Sequence, residues 1–465
     1  MTLRPSTAAR ALALCLALLP SVSEAGGFYL TDRGVRPLGR GGAFIAGADD
    51  LHALWYNPAG LVRAGRGLLL DGSLVNFGNT YVRDALPDPN GEPIRFRPAE
   101  GSGQPLMIPT LAVSHNFGLR DWMFAAGVFA PYAAITSYDD SALAPQRYSL
   151  ITLNGSLLAV GGLYAAWRPH PTLSVGAGVL ALTGSFVARL AFSGCPATVT
   201  CTPEDPDWDS VAQLNAGPIV APTATAGVQY RPHPMIAFGA SFQLPIRVDT
   251  GADLAVRLPS APFYNGAQIQ GSRADVGFSF APIARLGVEF SPLPRTHVEL
   301  AAVWEGWSVH DRIDLTPRDI RITGVRGVGT YDVGPVVIGR GFRDVWSLRL
   351  GAEHETNLSA TMRLGARVGL QYETSATAPA YTNVMTMDAD KFVASLGASL
   401  GFGRWHVDAV FAYMFASSVV VDPRDARLYP TAPFRAGPEA PRYAINAGSY
   451  DLRVNVVGLG ARYAF

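Results

Sequence analysis

The sequence is short of charge, and this shortage limits what the protein can be. Only 16% of its 465 residues are Asp, Glu, Lys or Arg, whereas an average soluble protein has about 25%. Lys and Arg together number 37, as do Asp and Glu, so there is no basic excess to bind nucleic acid. The 48% of apolar residues argues against disorder, and 49 Gly and 35 Pro exclude a long coiled coil. The length allows two or three soluble domains or one large β-barrel.

The first 25 residues are typical of an export signal. Arg4 and Arg10 precede an apolar run over 11–19, and the small residues Ser23 and Ala25 follow at the positions that a signal peptidase reads. This order predicts a secretory signal peptide over 1–25, cleaved after its last residue. The apolar run is too short to cross a bilayer as a helix.

Cysteine is scarce as well. Cys15 lies within the signal, which leaves Cys195 and Cys201 in a stretch rich in Pro, Thr and Asp. In an exported protein this spacing favours a disulfide that closes a small loop. A metal pair is the alternative, but no histidine is nearby, so we expect no metal site and no cofactor.

Membrane helices compete with membrane strands as an interpretation of the uncharged stretches 148–167 and 169–188. Both stretches are rich in Gly, Ser and Thr, whereas spanning helices consist mainly of Leu, Ile, Phe and Val. A period of two residues fits better: over 361–372, apolar residues alternate with Arg363, Gly365, Arg367, Gly369 and Gln371. A soluble sandwich would bury the apolar face, whereas an outer-membrane barrel turns it toward lipid.

The order of strands and connections favours the membrane barrel. Short turns alternate with long connections, and Arg-Pro-His-Pro marks two of the turns, at 168–171 and 231–234. An even strand number with this layout is typical of bacterial outer-membrane barrels. We therefore predict an all-β fold, a 14-stranded antiparallel transmembrane β-barrel over 67–465. The strands are expected near 67–77, 107–117, 122–131, 151–167, 172–190, 218–230, 235–250, 273–290, 296–310, 344–354, 360–373, 392–402, 405–416 and 450–465.

The last strand ends on an aromatic residue, Phe465, which resembles the C-terminal signal of outer-membrane barrels. Its final part alternates, with Val457 and Leu459 on the apolar face. Leu452 and Val454 precede these residues in the opposite phase. A bulge near residue 456 would reconcile the two phases.

Residues 26–66 are rich in glycine and lack strand alternation, with short helices expected within 43–54. A barrel of this size has a lumen too wide for its wall side chains to fill. The segment is therefore predicted to form a plug, or hatch, of short helices inside the lumen.

At this point the sequence resembles the FadL/TodX (OMPP1) family of outer-membrane transporters for long-chain fatty acids and other hydrophobic compounds. The similarity extends over the whole mature chain. The pieces that carry it are Gly-Phe-Tyr-Leu at 27–30, the glycine-rich 38–43, Ala-Gly-Ala-Asp-Asp at 46–50, Asn-Pro-Ala-Gly-Leu at 57–61, Ala-Pro-Tyr at 130–132 and Tyr-Ala-Phe at 463–465.

The resemblance implies a mechanism with a gate. The long loops capture a hydrophobic ligand, a lumenal pocket near the mature N-terminus holds it, and rearrangement of the plug releases it sideways. The exit is implied where the third strand kinks, next to Asn57, Pro58 and Ala59 of the plug. Pro58 fixes its own φ, and the amide of Asn57 can satisfy unpaired backbone. We place the kink at Ala126 and Gly127, since glycine relaxes a strand.

The residues that contact the ligand are less well marked. Gly27, Phe28, Tyr29 and Leu30 are candidates, with plug packing as their other role. A carboxylate would need Arg or Lys; Lys391 is the only lysine and lies beside a long loop, and Arg189 is a further candidate. The predicted lumenal charges are mixed in sign and fit an ion-pair network between wall and plug: Arg285, Glu289, Arg349, Glu353, Arg363 and Arg367.

These observations predict passive uptake of hydrophobic compounds across the outer membrane of a Gram-negative bacterium, with long-chain fatty acids first and aromatic or alkane hydrocarbons as the alternative. A general porin and a surface structural barrel remain further alternatives. No GxSxG, HExxH or phosphate-loop motif is present, and we expect no enzyme. A barrel hydrolase such as an outer-membrane phospholipase, which would need a Ser/His pair in register at the lipid face, is the alternative. The expected partners are the ligand, outer-membrane lipid and lipopolysaccharide, and the protein is expected to be a monomer.

Overall fold

The computed structural model describes residues 32–87, 90–101, 106–130, 136–435 and 441–465. The predicted signal peptide and the candidate ligand contacts Gly27, Phe28, Tyr29 and Leu30 lie outside these ranges. Among the described residues, no helix is both long and apolar enough to cross a membrane.

Fourteen antiparallel strands form one closed barrel, which confirms the predicted fold. β1 pairs with β14 from Gly67–Ala464 to Arg83–Gly448, and this pairing closes the wall. The strands are β1 Gly67–Arg83, β2 Leu106–His115, β3 Trp122–Phe129, β4 Leu157–His170, β5 Leu173–Ser193, β6 Asp209–His233, β7 Ile236–Gln243 continued by Ile246–Arg257, β8 Arg273–Phe280 continued by Ile283–Leu293, β9 Thr296–Glu305, β10 Val345–Asn357, β11 Met362–Glu373, β12 Lys391–Phe402, β13 Trp405–Ala416 and β14 Gly448–Ala464.

The long connections at one end of the barrel carry further short elements. Arg312–Arg318 pairs with Val336–Gly339 above β9 and β10. A separate three-stranded sheet contains Gln268–Gln270, Arg321–Val325 and Gly329–Asp332. The other short strands are Leu86–Pro87, Pro93–Ile94, Ala99–Gly101 and Val419–Val421, and the 3-10 turns of these connections are Pro206–Trp208, Pro262–Tyr264, Trp307–Val309 and Pro379–Tyr381.

The barrel has its apolar face outside, as a membrane barrel requires. On β10 the outward Trp346 and Leu348 are 60% and 56% exposed, whereas the inward Arg349 is 1% exposed. The same alternation places Leu364 outside and Arg367 inside on β11. In the lower part of the wall, which is the part nearer the short turns, the sequence pattern thus reflects lipid outside and a polar lumen inside.

The turns at the opposite end are tighter than the sequence suggests. β4 ends at His170 and β5 begins at Leu173, so the first Arg-Pro-His-Pro motif lies partly within a strand. The pairing shifts register between Trp167 and His170. That irregularity accommodates Pro169, which cannot donate to a ladder.

The expected bulge near Val456 is absent, because β14 pairs with both β1 and β13 through this position without a register shift. The upper residues Leu452, Val454 and Val456 are buried and face inward, whereas Leu459 faces outward. The apolar residues of β14 change from one face to the other because the lumen beside its upper half, nearer the long connections, is itself apolar. Apolar side chains therefore occur on the inner face there.

The described part of the plug lies inside the lumen and ends where β1 begins. It contains α1 Val35–Gly39, α2 Ala53–Tyr56, a 3-10 turn Pro58–Gly60 and α3 Leu61–Ala64. Phe44 and Tyr56 are fully buried in it. Plug and wall approach so closely that a Cβ on Gly369 of β11 would collide with the backbone of the plug at residue 41.

Candidate functional site

Buried ion pairs join the plug to the wall. Arg36 of α1 lies 2.9 Å from Asp50 in the plug and 2.9 Å from Glu353 on β10. Arg40 follows one turn later and lies 3.1 Å from Glu289 on β8 and 3.3 Å from Glu299 on β9. These residues are all almost fully buried. Glu289 and Glu353 of the predicted lumenal charges thus take part in a network between wall and plug, whereas Arg363 lies 3.7 Å from Glu355 of the wall.

Glu299 is the centre of this network. One of its carboxylate oxygens accepts hydrogen bonds from the backbone amides of Ile45 at 2.6 Å and Ala46 at 2.9 Å. The other accepts from the amide of Gly47 at 2.9 Å and from Arg40 at 3.3 Å. A single wall carboxylate therefore satisfies three plug amides, which would otherwise be buried without partners.

His52 forms a second link. Its Nδ1 contacts Asp50 in the plug at 2.8 Å, and its Nε2 contacts Asp71 on β1. Asp71 also accepts from the amide of Val35 at 2.7 Å. Burial alone would lower the pKa of His52, but the carboxylates of Asp50 and Asp71 raise it to about 9. The imidazolium is therefore the charged centre of a carboxylate–His–carboxylate bridge at neutral pH.

Asn57 holds the end of α2 against the wall. Its Nδ2 donates to the carbonyl of Ile45 at 3.0 Å and to the carbonyl of Val228 on β6 at 3.0 Å, while its Oδ1 accepts from the amide of Ala59 at 3.2 Å. Pro58 then packs so closely on Gly176 of β5 that a Cβ there would collide with its carbonyl group. The motif thus lies against β5 and β6, and its role as a gate stays a prediction.

Ala126 and Gly127 lie within the paired part of β3, and the kink expected there stays a prediction. The strand pairs with β2 and β4 on its two sides through both residues without a register shift. Gly127 allows close approach of the plug, because a Cβ there would lie 2.5 Å from Leu54. Trp55 packs edge-on against Phe129 at 5.1 Å, where the strand ends.

The pairing along the wall is interrupted between β6 and β7. The two strands pair up to Thr225 and Gln243, and the pairing resumes at Ala216 and Ala252. A backbone hydrogen bond still joins the amide of Leu244 to the carbonyl of Ala224 at 2.9 Å. We call the residues that remain between the paired parts, 217–223 and 245–251, the β6–β7 seam. Hydroxyl groups bridge its two ends, since Thr223 donates to the carbonyl of Leu244 at 2.9 Å and Thr250 to that of Pro218 at 3.3 Å.

The seam arises because in each strand the inward-facing residues change between odd-numbered and even-numbered positions. The change comes at a different level along the barrel axis in β6 than in β7. In β6, odd-numbered residues face inward from Ile219 to Gln229, whereas Ala216 also faces inward. In β7 the inward set changes from odd to even between Gln243 and Ile246. Opposite residues in a ladder must face the same side, so the two strands cannot pair between the switches.

Proline marks both switches. Pro218 follows Gly217, which has φ 144°, and Pro245 separates the two parts of β7. Neither proline can donate to a ladder. Ile246 and Val248 are fully buried and close the seam from inside. These prolines are a signal that the sequence analysis missed.

An apolar cavity lies in the upper barrel, between the wall and the long connections. Among the described residues that line it, only Thr431 is polar. Barrel strands contribute residues such as Phe186, Leu214 and Leu254, and the connections contribute Ile322 and Met385. We call it the outer cavity.

Two further cavities lie in the lumen. One is lined by Asp32, Arg33 and Gly34 at the start of the described plug. The other lies beside Trp307 and Phe342. The two share Lys391, Glu373, Met414 and Val454 as lining residues. We call them together the lumenal chamber.

Lys391 is buried in the wall of the lumenal chamber, a position that the sequence did not reveal. Its Nζ lies 2.9 Å from Glu373 and 2.7 Å from Asp388. Two carboxylates already neutralise this ammonium group. A ligand carboxylate would have to compete with both of them.

The remaining predicted residues lie elsewhere. Arg189 on β5 is partly exposed, 3.9 Å from Asp140. Its neighbours Ala188 and Leu190 line the outer cavity, so Arg189 points to the opposite face of the strand. Cys195 and Cys201 form a disulfide, with Cα atoms 6.2 Å apart. Within the described ranges, no group of three or more His, Cys, Asp or Glu side chains is placed to hold a metal ion.

Comparisons with known proteins agree with this architecture. The crystal structure of a Pseudomonas aeruginosa FadL homologue is similar over 94% of this chain and 100% of its own length, with a TM-score of 0.72 and 16% identity. The P. putida toluene transporter TodX is similar over 96% of this chain and 99% of its own, with a TM-score of 0.62 and 15% identity. The Ralstonia pickettii toluene transporter TbuX is similar over 94% of this chain and 99% of its own, with a TM-score of 0.59 and 16% identity.

At these identities the structures establish the fold alone, and no curated protein sequence matches the chain significantly. The family assignment comes from the sequence model described as "Outer membrane protein transport protein (OMPP1/FadL/TodX)", which matches residues 16–465. The chain therefore belongs to the OMPP1/FadL/TodX family of outer-membrane transport proteins.

Proposed function

We propose that the protein takes up hydrophobic compounds passively across the outer membrane of a Gram-negative bacterium, with long-chain fatty acids as the principal substrate class. The observation that carries this proposal is the outer cavity, whose lining is apolar except for Thr431. Burying hydrocarbon contributes about 0.8 kcal/mol per methylene, so such a cavity selects alkyl chains. The protein acts as a monomer, and its outward face contacts lipid and lipopolysaccharide.

The ligand moves from the outer cavity to the lumenal chamber and then meets the plug. Arg36, Arg40 and Glu299 fill the lumen beyond the chamber with charge. A hydrocarbon chain finds no favourable surface there. The plug must therefore shift, and the ligand leaves sideways into lipid.

The β6–β7 seam is the proposed exit. Asn57 donates to Val228 on β6, and Ser241 on β7 donates to the carbonyl of Tyr56 at 2.6 Å, so the plug holds both strands just below the seam. Outside, the apolar Phe242 and Leu244 lie at one edge of the seam and are exposed. Release of Asn57 would free β6 from the plug next to the unpaired residues, with Ile246 as the side chain that must move.

Aromatic hydrocarbons are the second candidate substrate class. Two structurally similar proteins are toluene transporters by name, and the outer cavity contains Phe186 and Phe192, which suit an aromatic ring. A general porin fits less well, because the buried plug occupies the lumen. A purely structural barrel would not need the outer cavity.

Uptake by whole cells tests the proposal. Cells that lack other uptake routes should accumulate labelled palmitate or toluene when they express the protein, and deletion of residues 26–29 should reduce uptake while the barrel still assembles. Heat-modifiable gel mobility reports the folded barrel. The matched control is removal of the exposed Arg321–Asp332 ion pair. If expression raises the uptake of no hydrophobic compound tested, the proposed function is wrong.

A further inference from the structure

Arg340 is a buried cation without a carboxylate partner. It follows the short strand Val336–Gly339 and is 2% exposed. Among the described residues, no Asp or Glu oxygen lies within ion-pair distance of its guanidinium. Arg40 and Lys391 are also buried, but each contacts at least two carboxylates. An uncompensated charge in a protein interior is costly and therefore needs a reason.

The groups that Arg340 contacts are weak hydrogen-bond acceptors. Its Nε lies 3.4 Å from Nε2 of His310, its Nη1 lies 3.0 Å from the sulfur of Met385, and its Nη2 has no hydrogen-bond partner. The ring of Phe342 lies 5.8 Å from Cζ. Thioether sulfur and an aromatic face are poor partners for a guanidinium. At least one N–H group is therefore available to an anion.

His310 orients this guanidinium. Its Nδ1 lies 2.7 Å from the carbonyl of Ser279, which can only accept, so Nδ1 carries the proton and Nε2 accepts from Arg340. Burial and then the charge of Arg340 lower the pKa of His310 to about 3. The ring is thus neutral and leaves the positive charge of Arg340 uncompensated. Burial lowers the pKa of Arg340 only to about 10, so it remains a cation at neutral pH.

Arg340 lies between the two cavities. Met385, which it contacts, lines the outer cavity, as does Ile338 two residues earlier. Phe342, two residues later, lines the lumenal chamber. The guanidinium therefore contacts a lining residue of each cavity.

The geometry points to Arg340, oriented by His310, as the receptor for the carboxylate of an amphiphilic ligand between the outer cavity and the lumenal chamber. This inference rests on the proposed function and deepens it by assigning the substrate class. The alkyl chain lies in apolar surroundings while the carboxylate supplies the missing counter-ion. A guanidinium can bind a carboxylate through two parallel N–H groups. A neutral hydrocarbon would leave the charge uncompensated.

Matched ligands and variants test the inference. The detergent-solubilised full-length protein is titrated with palmitate and with hexadecanol, which differ only in the head group. We expect the wild type to bind the acid at least about 10-fold more tightly, as one charge-assisted hydrogen bond implies. Arg340→Met should weaken acid binding by at least about 10-fold and change alcohol binding by less than about 2-fold, whereas Arg340→Lys should retain part of the preference.

Arg312→Met is the control, because it removes one charge from an exposed arginine nearby, which lies 3.3 Å from Asp314. This variant should change neither the affinity for palmitate nor the affinity for hexadecanol. Equal binding of acid and alcohol by the wild type overturns the inference, and this comparison needs no variant to fold. Unchanged acid binding by folded Arg340→Met overturns it as well. If palmitate, hexadecanol and toluene all fail to bind, the proposed function itself fails.

Discussion

Replacing Glu299 by Gln should loosen the plug without opening the barrel. The retained oxygen can still accept from Ile45 and Ala46. The new amide group, however, would present N–H groups to the amide of Gly47 and to Arg40, which now lie 2.9 and 3.3 Å from the second oxygen. One buried donor loses its partner, at about 1–3 kcal/mol, and Arg40 loses one of its carboxylates. We estimate about 3 kcal/mol in total, a low value for a broken buried ion pair.

A loss of about 3 kcal/mol raises the opening equilibrium of the plug about 150-fold. Hydrogen exchange measured by mass spectrometry should therefore show about 150-fold faster exchange of amides 45–47, with unchanged exchange in the barrel strands. Glu355→Gln is the matched control, since this partly exposed side chain lies 3.7 Å from Arg363 and such pairs contribute about 0–1 kcal/mol. Exchange that rises less than about 5-fold in Glu299→Gln, or equally in both variants, would refute the reasoning.

Other predictions follow from the same contacts. The pKa of His52 is raised above its unfolded value of about 6.5. The stability that the charged His52 gives the plug is therefore complete below about pH 6.5 and is lost as pH rises through about 9. Proteolysis of the wild-type plug should increase between pH 7 and pH 10, and His52→Gln should show no such increase. Asn57→Asp should speed exchange of the plug amides about 10-fold or more, because two carbonyls lose their donor, whereas Asn215→Asp on the exposed part of β6 should not. Cys195 and Cys201 should not react with thiol reagents until they are reduced, and labelling without reductant would contradict this.

The sequence predicted the barrel because its strands obey one local rule. Trp346, Leu348 and Arg349 alternate as a lipid-facing strand does, and the turns after His170 and His233 contain proline. Every one of the fourteen predicted strands overlaps a barrel strand. Where the lumen itself is apolar, as beside Val454, the same rule misleads, because apolar side chains then occur on both faces.

The site could be predicted only in part. The sequence identified the plug and Asn57, but not the position at which the pairing along the wall is interrupted. That position depends on two face switches, at Pro218 and Pro245, whose mismatch exists only once β6 and β7 are side by side. Likewise, Lys391 and Arg340 are isolated in the sequence, and neither periodicity nor spacing indicates that one is neutralised and the other is not.

The proposed transport requires movement of the plug against the wall, and a reversible cross-link tests this directly. A Cβ on Gly127 would lie 2.5 Å from a terminal carbon of Leu54, so we expect a cysteine pair at these positions to form a disulfide between plug and β3 under an oxidant. We measure palmitate uptake by cells that express the variant Leu54→Cys/Gly127→Cys, before and after reduction, with the wild type as the control for the native disulfide. The account predicts that the oxidised variant takes up no palmitate and that reduction restores uptake. Uptake by the oxidised variant at the wild-type rate would contradict it.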